Sequence, residues 1–378
     1  MKKNILILFG GKSTEHDISI ISTFYVNKFV DEYLYNVYLV YIDKCGNFNY
    51  LKNVITLNDF INTKKIIKVN LVGKSLYENK DKKLKKVCDI DCVLPIMHGV
   101  NGEDGSVDGF LKLNNIARAT PNIDVATIGM DKGTFKKCVG DVACVLNCVE
   151  VANKDLYNDK QIINKIKANI GFPCIIKPAR QGSSIGIEIC ENEENLLKLI
   201  KKCLKFDKKL IIEPKLTKFR EFNIAIYKTS DGLKISEIEE PILKSNMLSF
   251  EEKYLNFSGI GADKIKKIPP KISKKLYEEI VKMASVVYEN FDASGVIRFD
   301  FIYDTINNKL YLNEMNTIPG SLALYLFAAK GIGEDKVLND IITYAIRQNF
   351  LENANQIDYK TQVLNSTNLA KFKKWCNL

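Results

Sequence analysis

Two short strings in the last third of the chain place charged groups at strand spacing. Arg298-Phe299-Asp300-Phe301 alternates polar with apolar side chains, and in Leu312-Asn313-Glu314-Met315-Asn316 the polar Glu314 and Asn316 flank the apolar Met315. Residues two apart in a strand share a face. Arg298 and Asp300 therefore point the same way, as do Glu314 and Asn316. Two carboxylates and an amide on adjacent strands suit a hard cation with oxygen ligands, and Mg2+ bound with a nucleotide is the usual case. An outward polar face is the plain alternative. Val296, Phe299, Phe301 and Leu312 argue against it, because they imply a sheet packed on its other side.

Three upstream strings add anion-handling and ligand-handling groups. Lys177 ends an apolar run and is followed by the small-residue loop Gly182-Ser183-Ser184. Backbone N–H groups and hydroxyls in such a loop can cradle phosphates while the lysine neutralises them. His98 to Gly105 packs three glycines and the ionisable groups His98, Glu103 and Asp104 into eight residues. Glycines let backbone approach a ligand closely. Gly10-Gly11-Lys12-Ser13 follows an apolar run and invites a P-loop reading. That motif needs a glycine five positions before the one preceding the lysine. Leu6 stands there, so the reading fails. The following Thr14-Glu15-His16-Asp17 is open to two readings, a helix N-cap cluster or a ligand-facing group.

Regular elements must hold these groups. Residues 4–9, 37–42 and 93–97 read as buried strands, with a helix over 17–29. Strands alternating with helices imply a doubly wound parallel sheet, with functional loops at the strands' carboxyl ends. A second region, 123–208, reads as a helix at 132–139, an amphipathic stretch at 163–169, a hairpin of 174–178 with 185–190, and a helix at 192–203. A third, 209–354, carries strands at 210–213, 222–227, 234–238, 296–303 and 309–313, and a helix over 273–291. Within it, residues 241–270 are polar, Gly/Pro-punctuated and without period, and a loop this long is usually functional. The division expected is 1–122, 123–208 and 209–354, with a mobile lid at 241–265 and a polar tail at 355–378.

Composition narrows the function classes. The chain has 378 residues and a formal charge of +10, but only five of its 55 basic residues are arginine. Base and phosphate recognition on nucleic acids leans on arginine, so a lysine-rich solvated surface is expected, with no nucleic-acid partner. The apolar runs are too short to span a bilayer, so no membrane partner is expected either. The opening apolar run meets Gly10-Gly11 too soon for a signal peptide and reads as the first strand. Ten cysteines at irregular spacing, none in a C-x-x-C pair, read as reduced structural thiols. The two histidines, His16 and His98, exclude a His-rich zinc site.

Taken together and in order, these strings resemble the D-alanine–D-alanine ligases of the ATP-grasp superfamily. The likeness covers residues 4–350 and includes Phe9 to Ser19, His98 to Gly105, Gly129 to Lys132, Lys177 with Gly182 to Ser184, Lys253-Tyr254, Arg298 with Asp300, and Asn313 to Gly320. The flavour is that of ligases from low-GC Gram-positive bacteria. The resemblance implies a three-domain α/β ATP-grasp fold: an N-terminal doubly wound parallel-sheet domain and two α+β domains sandwiching ATP. It implies D-alanine and ATP as substrates, two Mg2+ ions (or Mn2+), a cytoplasmic homodimer, and D-alanyl-D-alanine made through an acyl phosphate for peptidoglycan. The alternatives are a D-serine or D-lactate acceptor, or a nucleotide-binding regulatory paralogue.

It also implies roles. Glu15 would bind the first substrate's ammonium, with His98 beside that substrate. Lys132, Lys177, Lys253 and the Ser183 loop would hold the ATP phosphates, and Glu213 to Lys215 would edge the adenine. Asp300, Glu314 and Asn316 would hold the metals. Arg298 and the Gly320 N–H would stabilise the oxyanion. Tyr254, in the lid, would meet Ser183 and Glu15. The chain departs from the family pattern at 117–124, at Phe219, and after Gly320. There Ser321-Leu322 follows directly, and either Ser321 or Tyr325 takes the second substrate's carboxylate.

Overall fold

The computed structural model describes residues 2–63, 65–81, 83–242 and 266–354. Three larger sheets organise it. In the first, Ile5 to Phe9 are wholly buried, as expected of a strand covered on both faces. This strand, Lys3–Gly10, pairs in parallel with Tyr35–Ile42 on one side and Cys92–Ile96 on the other. Ala117–Arg118 adds a parallel edge. The parallel part is as the sequence predicts. The other half differs: Phe48–Tyr50, Ile67–Val72, Ser75–Lys80 and Lys83–Asp89 extend the sheet with antiparallel pairings. Sequence reading passes over them because Lys83–Asp89, for example, buries only Cys88 and shows no alternation.

The second sheet orders Glu188–Cys190, Cys174–Pro178, Lys209–Pro214 and Val149–Ala152, all antiparallel. The third orders Gly232–Ile235, Phe219–Thr229, Ile297–Asp304 and Lys309–Asn316, also antiparallel. The helix Lys274–Asn290 covers one face of it. Ser273 caps the helix by accepting the Leu276 N–H, and Leu276, Ile280, Ala284 and Val287 form its buried stripe. The polar strand residues are left on the other face. The helix Glu334–Ala354, absent from the sequence reading, packs Val337, Leu338, Ile341 and Ile342 into the same core as Ile5, Ile7 and Phe9. Among the described residues no helix is long and apolar enough to cross a membrane.

Candidate active site

The second and third sheets and the loops of the first enclose a cavity of about 350 Å³. Register places its central groups. Asp300 pairs directly with Glu314, and Arg298 with Asn316. On the other flank Asn223 pairs with Asp300. Asn223, Asp300 and Glu314 thus form a row across three strands, and all line the cavity. Arg298 holds Asp300 through two hydrogen bonds of 2.7 and 2.8 Å, and Asn316 Nδ2 donates to Asp300 at 2.9 Å. Burial would lower the Arg298 pKa, but Asp300 outweighs it and raises it well above the usual value. Glu314 lies 3.5 Å from Lys132 Nζ.

Lys132 opens the helix Lys132–Val139, which Asp131 caps by accepting the Thr134 N–H at 3.0 Å. Its ammonium also donates to the Gln181 carbonyl at 2.8 Å, tying the helix start to the Gly182-Ser183 loop. Lys177 and Lys136 each lie 2.6 Å from a Glu213 oxygen. Lys136 and Glu213 are buried and Lys177 is partly so, and of the three only Lys177 and Glu213 line the cavity. Burial would raise the Glu213 pKa; the two ammoniums overcome it and hold it down at about 2. Burial works against the Lys177 charge too, and Glu213 outweighs it to raise that pKa. Around these charges Leu146, Ile175, Ile189, Phe219 and Ile302 make apolar walls between the two sheets. A flat heteroaromatic ring fits such a slot.

At the opposite end, Glu15 is 5% exposed at the start of the helix His16–Asn27. Ser183 Oγ donates to it. Gly99 (φ +73) and Gly182 close around it, since a Cβ on either would lie 3.0 Å from a Glu15 oxygen. His98 is buried, with Nδ1 2.8 Å from the Ile318 carbonyl. Glu103 stands 3.5 Å from that nitrogen; burial raises its pKa, against the pull of His98.

The described residues thus bring Glu15, His98, Lys132, Lys177, Ser183, Glu213, Lys215, Arg298, Asp300, Glu314, Asn316 and Gly320 to one cavity. Lys215 pairs with Glu191 at 2.7 Å. Tyr325 also lines the cavity; burial and then Glu239 raise its pKa well above the usual value. Ser321 is not among the lining residues: it is 3% exposed, and its N–H donates to Ser22. Lys253, Tyr254 and all but two residues of 241–265 lie outside the described residues. The sequence reading misses Asn223, Glu239, Lys266 and the apolar walls other than Phe219. A signal for some of these exists. Ile175 and Ile302 stand two residues from Lys177 and Asp300, on the same strand faces.

Two carboxylates and an amide oxygen on one face fit Mg2+ by donor chemistry. Among the described residues no three His, Cys, Asp or Glu side chains gather as a metal site. A cation here therefore needs further oxygens, and the phosphates of a nucleotide supply them.

The family models agree with this geometry. Residues 4–119 match the model described as D-ala D-ala ligase N-terminus, and residues 143–343 match D-ala D-ala ligase C-terminus. The chain belongs to the D-alanine–D-alanine ligase family. A relative named D-alanine--D-alanine ligase, from Caldicellulosiruptor bescii, is 33% identical, covering 92% of this chain and 96% of its own. The solved D-alanine-D-alanine ligase of Coxiella burnetii superposes with a TM-score of 0.78 at 23% identity, over 93% of this chain and 97% of that one. The VanG D-Ala:D-Ser ligase of Enterococcus faecalis gives 0.76 at 24%, over 91% and 99%. These two establish the ATP-grasp fold, and they stand for different second substrates.

Proposed function

We propose that this chain is an ADP-forming ligase that joins two D-alanines into D-alanyl-D-alanine for peptidoglycan precursor synthesis. The observation that carries the reading is the row Asp300–Glu314, with Arg298 and Asn316 beside it, facing Lys132 and Lys177 in one cavity with Glu15. A carboxylate is a poor electrophile, so one D-alanine carboxylate first attacks the γ-phosphorus of ATP and ADP leaves. The amine of the second D-alanine then attacks the acyl carbon, phosphate leaves, and the amine nitrogen loses a proton.

In this reading Glu15 accepts the ammonium of the first D-alanine, held in place by Ser183. Lys132 and Lys177 hold the phosphates, and the apolar walls around Ile175 and Phe219 take the adenine. Asp300, Glu314 and Asn316 would hold two Mg2+, which supply charge neutralisation on the transferring phosphoryl group. Arg298 and the Gly320 N–H meet the oxyanion of the tetrahedral intermediate. A cytoplasmic homodimer belongs to the same proposal, with light scattering as the check on its assembly.

The test is phosphate release with ATP, Mg2+ and D-alanine, with dipeptide measured in parallel. Phosphate and D-alanyl-D-alanine should appear one for one. Ester or mixed dipeptide formed preferentially with added D-lactate or D-serine would reassign the acceptor. Absence of any D-amino-acid-dependent phosphate from folded protein would sink the reading.

A further inference from the structure

The helix that begins beyond Glu15 carries Ser22 two turns further along. Ser22 is 3% exposed. Its Oγ lies 2.9 Å from His98 Nε2 and 3.2 Å from the backbone nitrogen of Ser321. The other ring nitrogen of His98 faces the Ile318 carbonyl at 2.8 Å. A carbonyl oxygen only accepts, so Nδ1 carries a proton, and in the neutral ring Nε2 is then the acceptor. Ser22 therefore donates its hydroxyl proton to His98 and accepts the Ser321 N–H. This run of bonds begins and ends on one short stretch of backbone. It clamps the carbonyl of Ile318 and the amide of Ser321, and so brackets Pro319 and Gly320.

That stretch needs holding. Ser321, Leu322 and Ala323 have φ of 49°, 52° and 49°, three successive non-glycine residues in the left-handed region. L side chains disfavour it, and such a turn persists only where its surroundings over-determine it. Leu322, Ala323 and Leu324 anchor the turn from below, in the same core as Ile20 and Phe24 of the Ser22 helix. The polar side is anchored by His98 and Ser22. A second tie runs alongside, Thr317 Oγ1 donating to the Glu103 carbonyl at 3.1 Å.

We propose that Ser22 is a positioning residue for the amide-forming step: with His98 it fixes the Pro319-Gly320 backbone so that the Gly320 N–H meets the oxyanion. The proposal rests on the reading above, in which Gly320 is that donor. It gives the helix two linked tasks. Its first residues present Glu15 to the ammonium of the first substrate. Ser22, two turns on, sets the donor for the carbonyl oxygen of that same molecule. The rigid helix thus gauges the short distance between amine and carbonyl in an α-amino acid.

The experiment compares wild type with Ser22→Ala and Ser22→Cys; the second keeps an atom at the γ position, somewhat larger than oxygen, that hydrogen-bonds only weakly. Three quantities are read: kcat with D-alanine, KM for ATP, and inhibition by a phosphinate dipeptide analogue, whose tetrahedral phosphorus places an oxygen where the oxyanion forms. Loss of one oxyanion donor costs about a hundredfold or more, and misaiming it costs part of that. The expected result is a fall in kcat of about tenfold or more and a matching loss of phosphinate affinity, with KM for ATP within about twofold of wild type. If Ser22→Ala does not fold, Ser22→Cys carries the test alone. The proposal is overturned if a folded variant keeps kcat within twofold. It is also overturned if kcat falls while phosphinate affinity holds, or if KM for ATP worsens as much as kcat. Failure of wild type itself to turn over D-alanine is a different result: it removes the ligase reading beneath.

Discussion

Replacing Glu213 by glutamine tests the electrostatic centre of the cavity. The carboxylate is 1% exposed and lies 2.6 Å from both Lys136 and Lys177. Burial opposes its charge, the two ammoniums more than compensate, and its pKa falls from 4.5 to about 2. A depression of that size corresponds to about 3 kcal/mol of folded-state stability. The sign is set by the direction of the shift. A carboxyl with a lowered folded pKa contributes fully above its unfolded value of 4.5, and the contribution drains away as pH falls toward about 2. Glu213→Gln removes that contribution at neutral pH and leaves the buried Lys136 and the partly buried Lys177 without their shared counter-charge. The expected loss at pH 7 is about 3–5 kcal/mol. Urea denaturation across a pH series is the assay. The gap between wild type and variant should be widest at pH 6–7 and close as pH drops through 4 and 3. A gap that stays constant down to pH 3 would refute the reasoning, because it would mean the glutamate acts by shape and not by charge.

Glu314→Ala should leave the fold intact and lower kcat by about 3 kcal/mol or more, at least about a hundredfold, at saturating Mg2+; retention of more than about a tenth of wild-type kcat identifies the wrong metal ligand. Ser183→Ala removes the hydrogen bond to the Glu15 carboxylate, and a bond to a charged group is worth about 1.5–3 kcal/mol, so KM for D-alanine should rise about tenfold or more. Steady-state kinetics at varied D-alanine check this. Among the described cysteines, Cys45 and Cys138 are exposed, while burial pushes Cys92 and Cys174 up to about 12 and Cys88 and Cys203 up to about 11. The native protein should therefore lose these two described thiols rapidly to a thiol reagent at pH 7 and the five buried ones, Cys190 included, only on unfolding.

The placement of the charged groups on the third sheet was legible because it rests on strand parity. Arg298, Asp300, Glu314 and Asn316 need only the period of two to be placed on one face, and the register adds that Asp300 meets Glu314 directly. Lys132–Val139 and Cys174–Pro178 were legible for a similar reason: local spacing and local stops define them. What depends on distant partners was not. Glu213 reads in sequence as a residue near a nucleotide, yet its immediate partners are two lysines, from Cys174–Pro178 and Lys132–Val139. The helix Glu334–Ala354 has a readable stripe, but two of the strands it packs on, Cys92–Ile96 and Ala117–Arg118, lie more than two hundred residues earlier in the chain.

The turn after Gly320 joins these two kinds of information. By sequence, Ser321 is a small polar residue next to the glycine proposed as oxyanion donor and invites a role in binding the second carboxylate. In the fold its N–H faces Ser22, and its backbone, with that of Leu322 and Ala323, is left-handed. Local propensity would not choose that conformation; packing from the first sheet's helix imposes it. The segment that aims the proposed oxyanion donor is therefore held by residues from the opposite end of the chain. The N-terminal and C-terminal parts matched by the two family models meet at this contact. Assembling the donor requires both to be folded against each other. A substitution in the helix His16–Asn27 can thus alter chemistry at Gly320 without touching a substrate, and the Ser22 variants measure that coupling directly.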